Sequence, residues 1–201
     1  DSQTSPRRAT SPDIKGALMA WFLLILGLSI CTAVLLAILW SIYVPDRRVW
    51  PPDTYDKSTA LLVWGATAGL ASCIVVPAFL QWGAVDWLPD WVRFGIGLPL
   101  ILVGNLGVWS EVARFGISQT GGAQGTLRTQ GLYAYSRNPQ YVADLAIVIG
   151  WGLMSAAPTS MIVGVGACLC LFAAPFAEET WLAERYGHAY NIYRARVRRF
   201  I

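Results

Sequence analysis

Gly131-Leu-Tyr-Ala-Tyr-Ser-Arg-Asn-Pro-Gln-Tyr141 is a polar turn that opens onto a long apolar stretch, and Glu178-Glu179 closes that stretch. Between the two clusters the residues are almost all membrane-compatible, with one interruption at Ser155-Ala-Ala-Pro158. Proline fits the first turn of a helix, so Pro139 and Pro158 each mark a helix start. The stretch therefore predicts a helical hairpin, spanning 141–154 and 158–177, that brings its acidic end back to the face where the turn began. Polar groups beside hydrocarbon are costly unless satisfied, which gives the two clusters a physical reason to meet.

The rest of the chain agrees with a bilayer setting. Hydrophobic residues make up 55% of its 201 residues and charged ones 13%, too apolar for an ordinary soluble fold of this size. Further apolar runs at 17–44, 59–85 and 92–113 precede the hairpin, and most of the five approach the ~20 residues a spanning helix needs. We expect an all-α integral membrane protein with about five transmembrane helices, formed as a single domain over 14–201 with its motif-bearing half at about 100–201. A buried re-entrant pair is the alternative reading of the hairpin. Residues 1–13, rich in Ser, Thr and Pro, are expected to be disordered. The first span exceeds a signal-peptide core and lacks a small-residue cleavage pattern, so it is expected to stay in the mature chain. After Ala177 the sequence turns polar, and Leu182, Tyr186, Tyr190, Tyr193 and Val197 are spaced as one helical stripe. That C-terminal helix should lie along the membrane surface or cap the bundle.

Orientation follows from the basic residues, which cytoplasmic segments accumulate. In the five-span arrangement eleven of the fifteen Lys and Arg fall on the side that carries the 131–141 motif and the tail, and four fall on the other. The motif and the C-terminus are therefore expected in the cytoplasm. The net charge of +3 is modest, with its basic residues gathered in Arg194-Ala-Arg-Val-Arg-Arg199, where anionic headgroups would attract them. Nothing calls for nucleic acid. Cys31, Cys73, Cys168 and Cys170 all sit within expected spans, and they read as packing residues with no metal implied.

Several residues have the chemistry of a site. Glu111 and Asp144 are acids within about a turn of the ends of spans three and four, and ionisable groups at depth are functional candidates because each costs on the order of 3 kcal/mol there. The competing reading is that both are solvated. Glu178-Glu179 fits either a ligand site or a helix-start cap favoured by the dipole. Arg137, Asn138 and Tyr141 bring together a charge, an amide and a ring at a helix mouth. A helix cap, a headgroup contact and an interfacial ring would account for them as well. The glycine-rich run Gln119–Gly125 allows close backbone approach to a ligand or simply a flexible connection.

Two separated stretches resemble one family. Thr126–Tyr141 is similar to the G-x-Y-x-x-x-R-[HN]-P-x-Y signature of the isoprenylcysteine carboxyl methyltransferase and phospholipid N-methyltransferase superfamily. Ala177–Phe200 is similar to its E-E-x-x-L-x-x-x-[FY]-G-x-x-Y-x-x-Y-x-x-x-V-x-R-[FW] tail. The resemblance covers roughly 100–200, and Asn138, where many carboxyl methyltransferases carry His, leans toward the phospholipid group, specifically the bacterial phosphatidylethanolamine N-methyltransferases. A glycine motif near the third span of that group has loose counterparts here in Gly95-Ile-Gly97, Gly104 and Gly107.

The resemblance implies S-adenosylmethionine as cofactor, held by Gly131, Tyr133, Arg137, Asn138, Pro139 and Tyr141 with Glu178 and Glu179 opposite. It places His188 and Tyr190 where the tail closes over the cofactor. Carboxylates and aromatic faces, including Trp181, suit a sulfonium, and Arg137 suits the cofactor's own carboxylate. An ethanolamine amine is protonated at neutral pH, so its methylation needs a proton acceptor. Glu111, Asp144, Glu179 and His188 are the candidates, with His188, Glu179 and Tyr141 expected in catalysis and Glu111, Asp144 and Tyr190 near the substrate. The acids favour an amine over a prenylcysteine carboxylate. Thirteen of the fifteen basic residues are Arg, as in GC-rich bacterial chains. The expectation is stepwise methylation of phosphatidylethanolamine toward phosphatidylcholine at the cytoplasmic face of a bacterial inner membrane, with a membrane lipid as the substrate. Alternatives are another lipophilic acceptor, a sterol-reductase-like activity, or a small transporter or assembly factor.

Overall fold

Long apolar runs leave the backbone no hydrogen-bond partner but itself, so helix is the structure they impose. The computed structural model describes residues 14–52, 54–115 and 125–201, Phe115 by its backbone alone, and among these no strand occurs. Five long helices follow in order: α1 (Ile14–Tyr43), α2 (Lys57–Leu80), α3 (Leu98–Phe115), α4 (Pro139–Ser155) and α5 (Pro158–Arg196). A turn at Asp90–Val92 and a π-helical stretch at Arg93–Gly97 lead directly into α3. The chain is the all-α membrane protein that its composition predicts. The 1–13 segment and most of the glycine-rich run lie outside the described residues.

Two details differ from expectation. Ile14–Tyr43, Lys57–Leu80, Asp90–Arg114 and Pro158–Arg196 are long and apolar enough to cross a membrane, but α4, the fourth expected span, has only 17 residues. At 1.5 Å per residue it rises about 26 Å, short of the ~30 Å hydrocarbon core. The fifth span and the C-terminal helix are also not separate, because α5 runs for 39 residues and is interrupted only at Gly187, with φ 51° and ψ −122°. Glycine takes that backbone conformation without a Cβ clash. The bend breaks the predicted stripe, so that Tyr190 and Tyr193 are buried while Val197 lies past the helix end in extended backbone.

Local chemistry sets the helix starts. The Asp56 carboxylate caps α2 by accepting from the Thr59 N–H at 2.8 Å and the Ser58 hydroxyl at 2.9 Å. Pro139 and Pro158 occupy first-turn positions, as predicted. The α4–α5 hairpin tip is clasped by the α2–α3 connection, where Gly83 N–H donates to Ser155 O at 2.7 Å and Val85 N–H to Ala156 O at 2.9 Å.

Small residues bring the helices together, as close packing in lipid requires. A Cβ on Gly104 would lie 2.6 Å from Ala143 O, and one on Gly150 would lie 2.7 Å from Gly97 O, so α3 and α4 meet backbone to backbone. Gly27 of α1 makes room for the Val163 side chain of α5, whose Cγ1 would lie 2.8 Å from a Cβ there. Gly97 and Gly104, two of the loose counterparts of the family's glycine motif, thus serve helix packing. Cys31 and Cys170 are buried between α1 and α5, and Cys170 Sγ donates to Cys31 O at 3.3 Å, which fits their reading as packing residues.

Candidate functional site

The 131–141 turn is laid against the tail by backbone as well as side chains. Gly131 has φ 66°, and the Arg114 guanidinium fills the space a Cβ would take. Ser136–Asn138 then runs alongside Arg198–Phe200. Arg137 N–H donates to Arg198 O at 2.9 Å, and Asn138 Nδ2 donates to Arg199 O at 3.0 Å. The Tyr193 hydroxyl donates to Tyr133 O at 2.7 Å, which ties the reversed end of α5 under the turn.

Glu179 is the hub of this contact. It is buried, and it accepts from Arg137 Nε and Nη2 at 3.2 and 3.1 Å and from Arg199 Nε and Nη2 at 3.0 and 2.9 Å. Asn138 Nδ2 adds a longer bond at 3.4 Å. A buried carboxylate shared by two forked guanidiniums is a strong geometric brace. Arg137 Nη1 donates to Arg194 O at 3.0 Å, so each of its guanidinium nitrogens has a protein partner. Three local alternatives fail here: Asn138 makes no side-chain cap, Arg137 is turned inward instead of to a headgroup, and Arg199 leaves the basic surface to pair with Glu179.

Glu178 faces differently. Its Oε1 accepts from the Tyr141 hydroxyl and from the Trp50 indole N–H, the latter at 2.8 Å. Both bonds fall on one oxygen, so the carboxylate is held in place with Oε2 unbonded among the described residues. Trp50 comes from the α1–α2 connection, where Ser41 Oγ accepts from both Val49 and Trp50 N–H at 2.9 Å. The acidic charges acting on Tyr141 are Glu178 and then Asp144, one turn further along α4.

Tyr133 links this group to Glu111. Burial pushes its phenol up to about 12, with Arg128 opposing and the Glu178 and Glu111 carboxylates adding to the shift. The hydroxyl is therefore a neutral donor throughout the physiological range. Glu111 is 1% exposed, and neither carboxylate oxygen has a partner among the described residues. An apolar groove of about 250 Å³ runs between α3 and α4, lined by Gly104, Gly107, Pro139, Val142, Ala143 and Tyr135, among others.

The structure thus gathers Gly131, Tyr133, Arg137, Asn138, Pro139, Tyr141, Glu178, Glu179, Glu111 and Asp144 at one end of the bundle. Tyr190 is fully buried, its ring 6.2 Å from that of Tyr193 and its hydroxyl without a partner among the described residues. His188, one residue past the Gly187 bend, is exposed. The Trp181 ring lies under Arg185 and edge-on to Tyr186. Sequence reading missed Trp50 because loop tryptophans are common in interfacial belts. Arg199 stood in the V-x-R-[FW] tail but was grouped with its basic neighbours.

Comparison with known proteins bears on this end of the molecule. A family model described as phospholipid methyltransferase matches residues 92–189. That range holds the turn, Glu111, Glu178 and Glu179, and stops short of Trp50 and Arg199. A steroid 5-alpha-reductase of Solanum lycopersicum is 30% identical over 106 residues, which are 52% of this chain and 40% of the reductase. The chain therefore spans less than half the length of that relative. No solved structure matches.

Proposed function

We propose that this chain is an S-adenosylmethionine-dependent methyltransferase that methylates the amine of phosphatidylethanolamine, and of its methylated intermediates, at the cytoplasmic face of the membrane. The observation that carries the reading is the fixed Glu178 carboxylate, clamped by Tyr141 and Trp50 inside the stretch matched by the phospholipid methyltransferase model. A half-buried acid held with one oxygen free among the described residues suits a cation, and S-adenosylmethionine when bound supplies an electrophilic methyl on a cationic sulfur.

The residues present fit that group. Glu178 offers the negative charge, and Tyr133, Tyr141 and Trp50 offer aromatic faces, which attract cations. Arg137 and Asn138, which the resemblance implies at the cofactor, bond Glu179 and the tail and brace the site from there. Because methyl transfer is an in-line displacement, the work of the protein is alignment and exclusion of water. The clamped Glu178 and the rigid turn contribute the first, and the tail folded over Tyr133 contributes the second. His188 on the exposed side of the Gly187 bend would join the site only through movement of the tail.

Purified protein incubated with labelled S-adenosylmethionine and defined lipids tests the proposal. Label in ethanolamine lipids is the expected result, and its absence from every such lipid refutes the proposal. The reductase relative supports a second reading, hydride reduction of a lipophilic acceptor with a nicotinamide cofactor. A dinucleotide needs cations for its phosphates, yet Arg137 and Arg199 both face Glu179. Binding of S-adenosylhomocysteine without binding of a nicotinamide dinucleotide separates the two.

A further inference from the structure

Two carboxylates are buried among the described residues; Glu179 is explained by its partners, and Glu111 is not. Its side chain is enclosed, both oxygens lack a hydrogen bond among the described residues, and the nearest positive charges, Arg114 and Arg128, do not bond to it. Buried polar atoms are ordinarily satisfied, and an unpaired buried acid is destabilising. A site kept at that cost has a missing partner.

The surroundings specify the partner. Gly104, Gly107 and Glu111 are spaced by three and four residues, so they share one face of α3. Gly104 and Gly107 line the apolar groove against α4, and Glu111 follows one turn beyond it. The charges of both Glu111 and Glu178 act on the Tyr133 phenol. An occupant that satisfies both features has an aliphatic chain for the groove and a cationic head for the acid.

We propose that Glu111 is the seat for the ammonium head of a membrane amphiphile whose chain lies in the α3–α4 groove. Resting on the methyltransferase reading, Glu111 is then also the proton acceptor. The ammonium N–H bond breaks and its proton moves to a Glu111 oxygen, leaving a neutral amine. The nitrogen lone pair forms the new N–CH3 bond as the CH3–S bond breaks, its electron pair leaving on sulfur as a neutral thioether. The proton then passes from Glu111 to water.

Binding of oleylamine and of oleyl alcohol to the detergent-purified full chain, wild type and Glu111→Gln, tests the seat without relying on transfer. A charge-assisted bond lost with the alcohol corresponds to a preference of about tenfold or more for the amine. The expected result is that preference in the wild type, reduced to about unity in Glu111→Gln, with a melting temperature unchanged or raised because an unpaired buried charge is gone. Equal binding of amine and alcohol by the wild type overturns the proposal, as does a Glu111→Gln protein that keeps the preference. A melting temperature lowered in both Glu111→Gln and Glu111→Leu also overturns it, because the acid is then structural. Amine preference dependent on Glu111 in a protein that transfers no methyl refutes the methyltransferase reading and leaves the seat standing.

Discussion

Replacing Glu179 with glutamine removes the one negative charge that Arg137 and Arg199 share, while keeping the volume of the side chain. Arg137 is 10% exposed and Glu179 5%, so that pair has little access to water, whereas Arg199 at 34% can turn outward. Breaking a buried pair costs about 3–5 kcal/mol because a charge is left without its partner, whereas a pair open to water is worth about 1 kcal/mol or less. Glu179→Gln should therefore lose roughly 3 kcal/mol, and Arg199→Ala, which leaves Glu179 paired with Arg137, roughly 1 kcal/mol. For a chain of this size each kcal/mol shifts the melting temperature by about 2–4 °C, so the expected drops are about 6–12 °C and about 2–4 °C. Thermal unfolding of the detergent-purified proteins, followed by circular dichroism, measures both. A Glu179→Gln protein melting with the wild type, or an Arg199→Ala protein losing as much as Glu179→Gln, would show that the turn and tail are not held together by this carboxylate.

Other expectations follow from the same geometry. Gly104→Leu forces a side chain into the Ala143 carbonyl, and overpacking of about 1–3 kcal/mol should lower the melting temperature, whereas Gly65→Leu, where an added Cβ meets nothing within 4 Å, should not. Trp50→Phe removes the indole donor to Glu178 and should weaken S-adenosylhomocysteine binding by about tenfold, the value of one bond to a charged group; calorimetric affinity equal to wild type would place Trp50 outside the site. Tyr133, with its phenol raised to about 12 against about 10 in an unfolded chain, binds its proton more tightly when folded. Its contribution to stability is complete below pH ~10 and declines toward pH ~12. Chemical denaturation across that range should therefore show a steeper loss for the wild type than for Tyr133→Phe.

Much of the site was legible because it is local in sequence. The turn at 131–141 and the acids at 178–179 each form a contiguous cluster, and an apolar hairpin between them can only return one to the other, which is the pairing of Arg137 with Glu179 and of Tyr141 with Glu178. The division of labour between the two acids was not legible. Adjacent helical residues point about 100° apart, so Glu179 meets the arginines while Glu178 meets Tyr141 and Trp50. The stripe through the tail failed for a similarly local reason, since Gly187 resets the helical phase and no count of residues reveals that.

Hydrophobic composition and run length alone determined that the chain is helical and membrane-embedded, because a backbone in hydrocarbon has no other way to satisfy its polar groups. Proline positions set where the hairpin starts and turns. Only the tertiary structure decided that Trp50, from a loop 128 residues away in sequence, reaches Glu178, that Arg199 turns in to pair with Glu179, and that Glu111 stands enclosed without a partner among the described residues. Those facts depend on how far apart packed helices stand and which way each side chain turns, quantities fixed by close contacts such as Gly104 on Ala143 and not by periodicity.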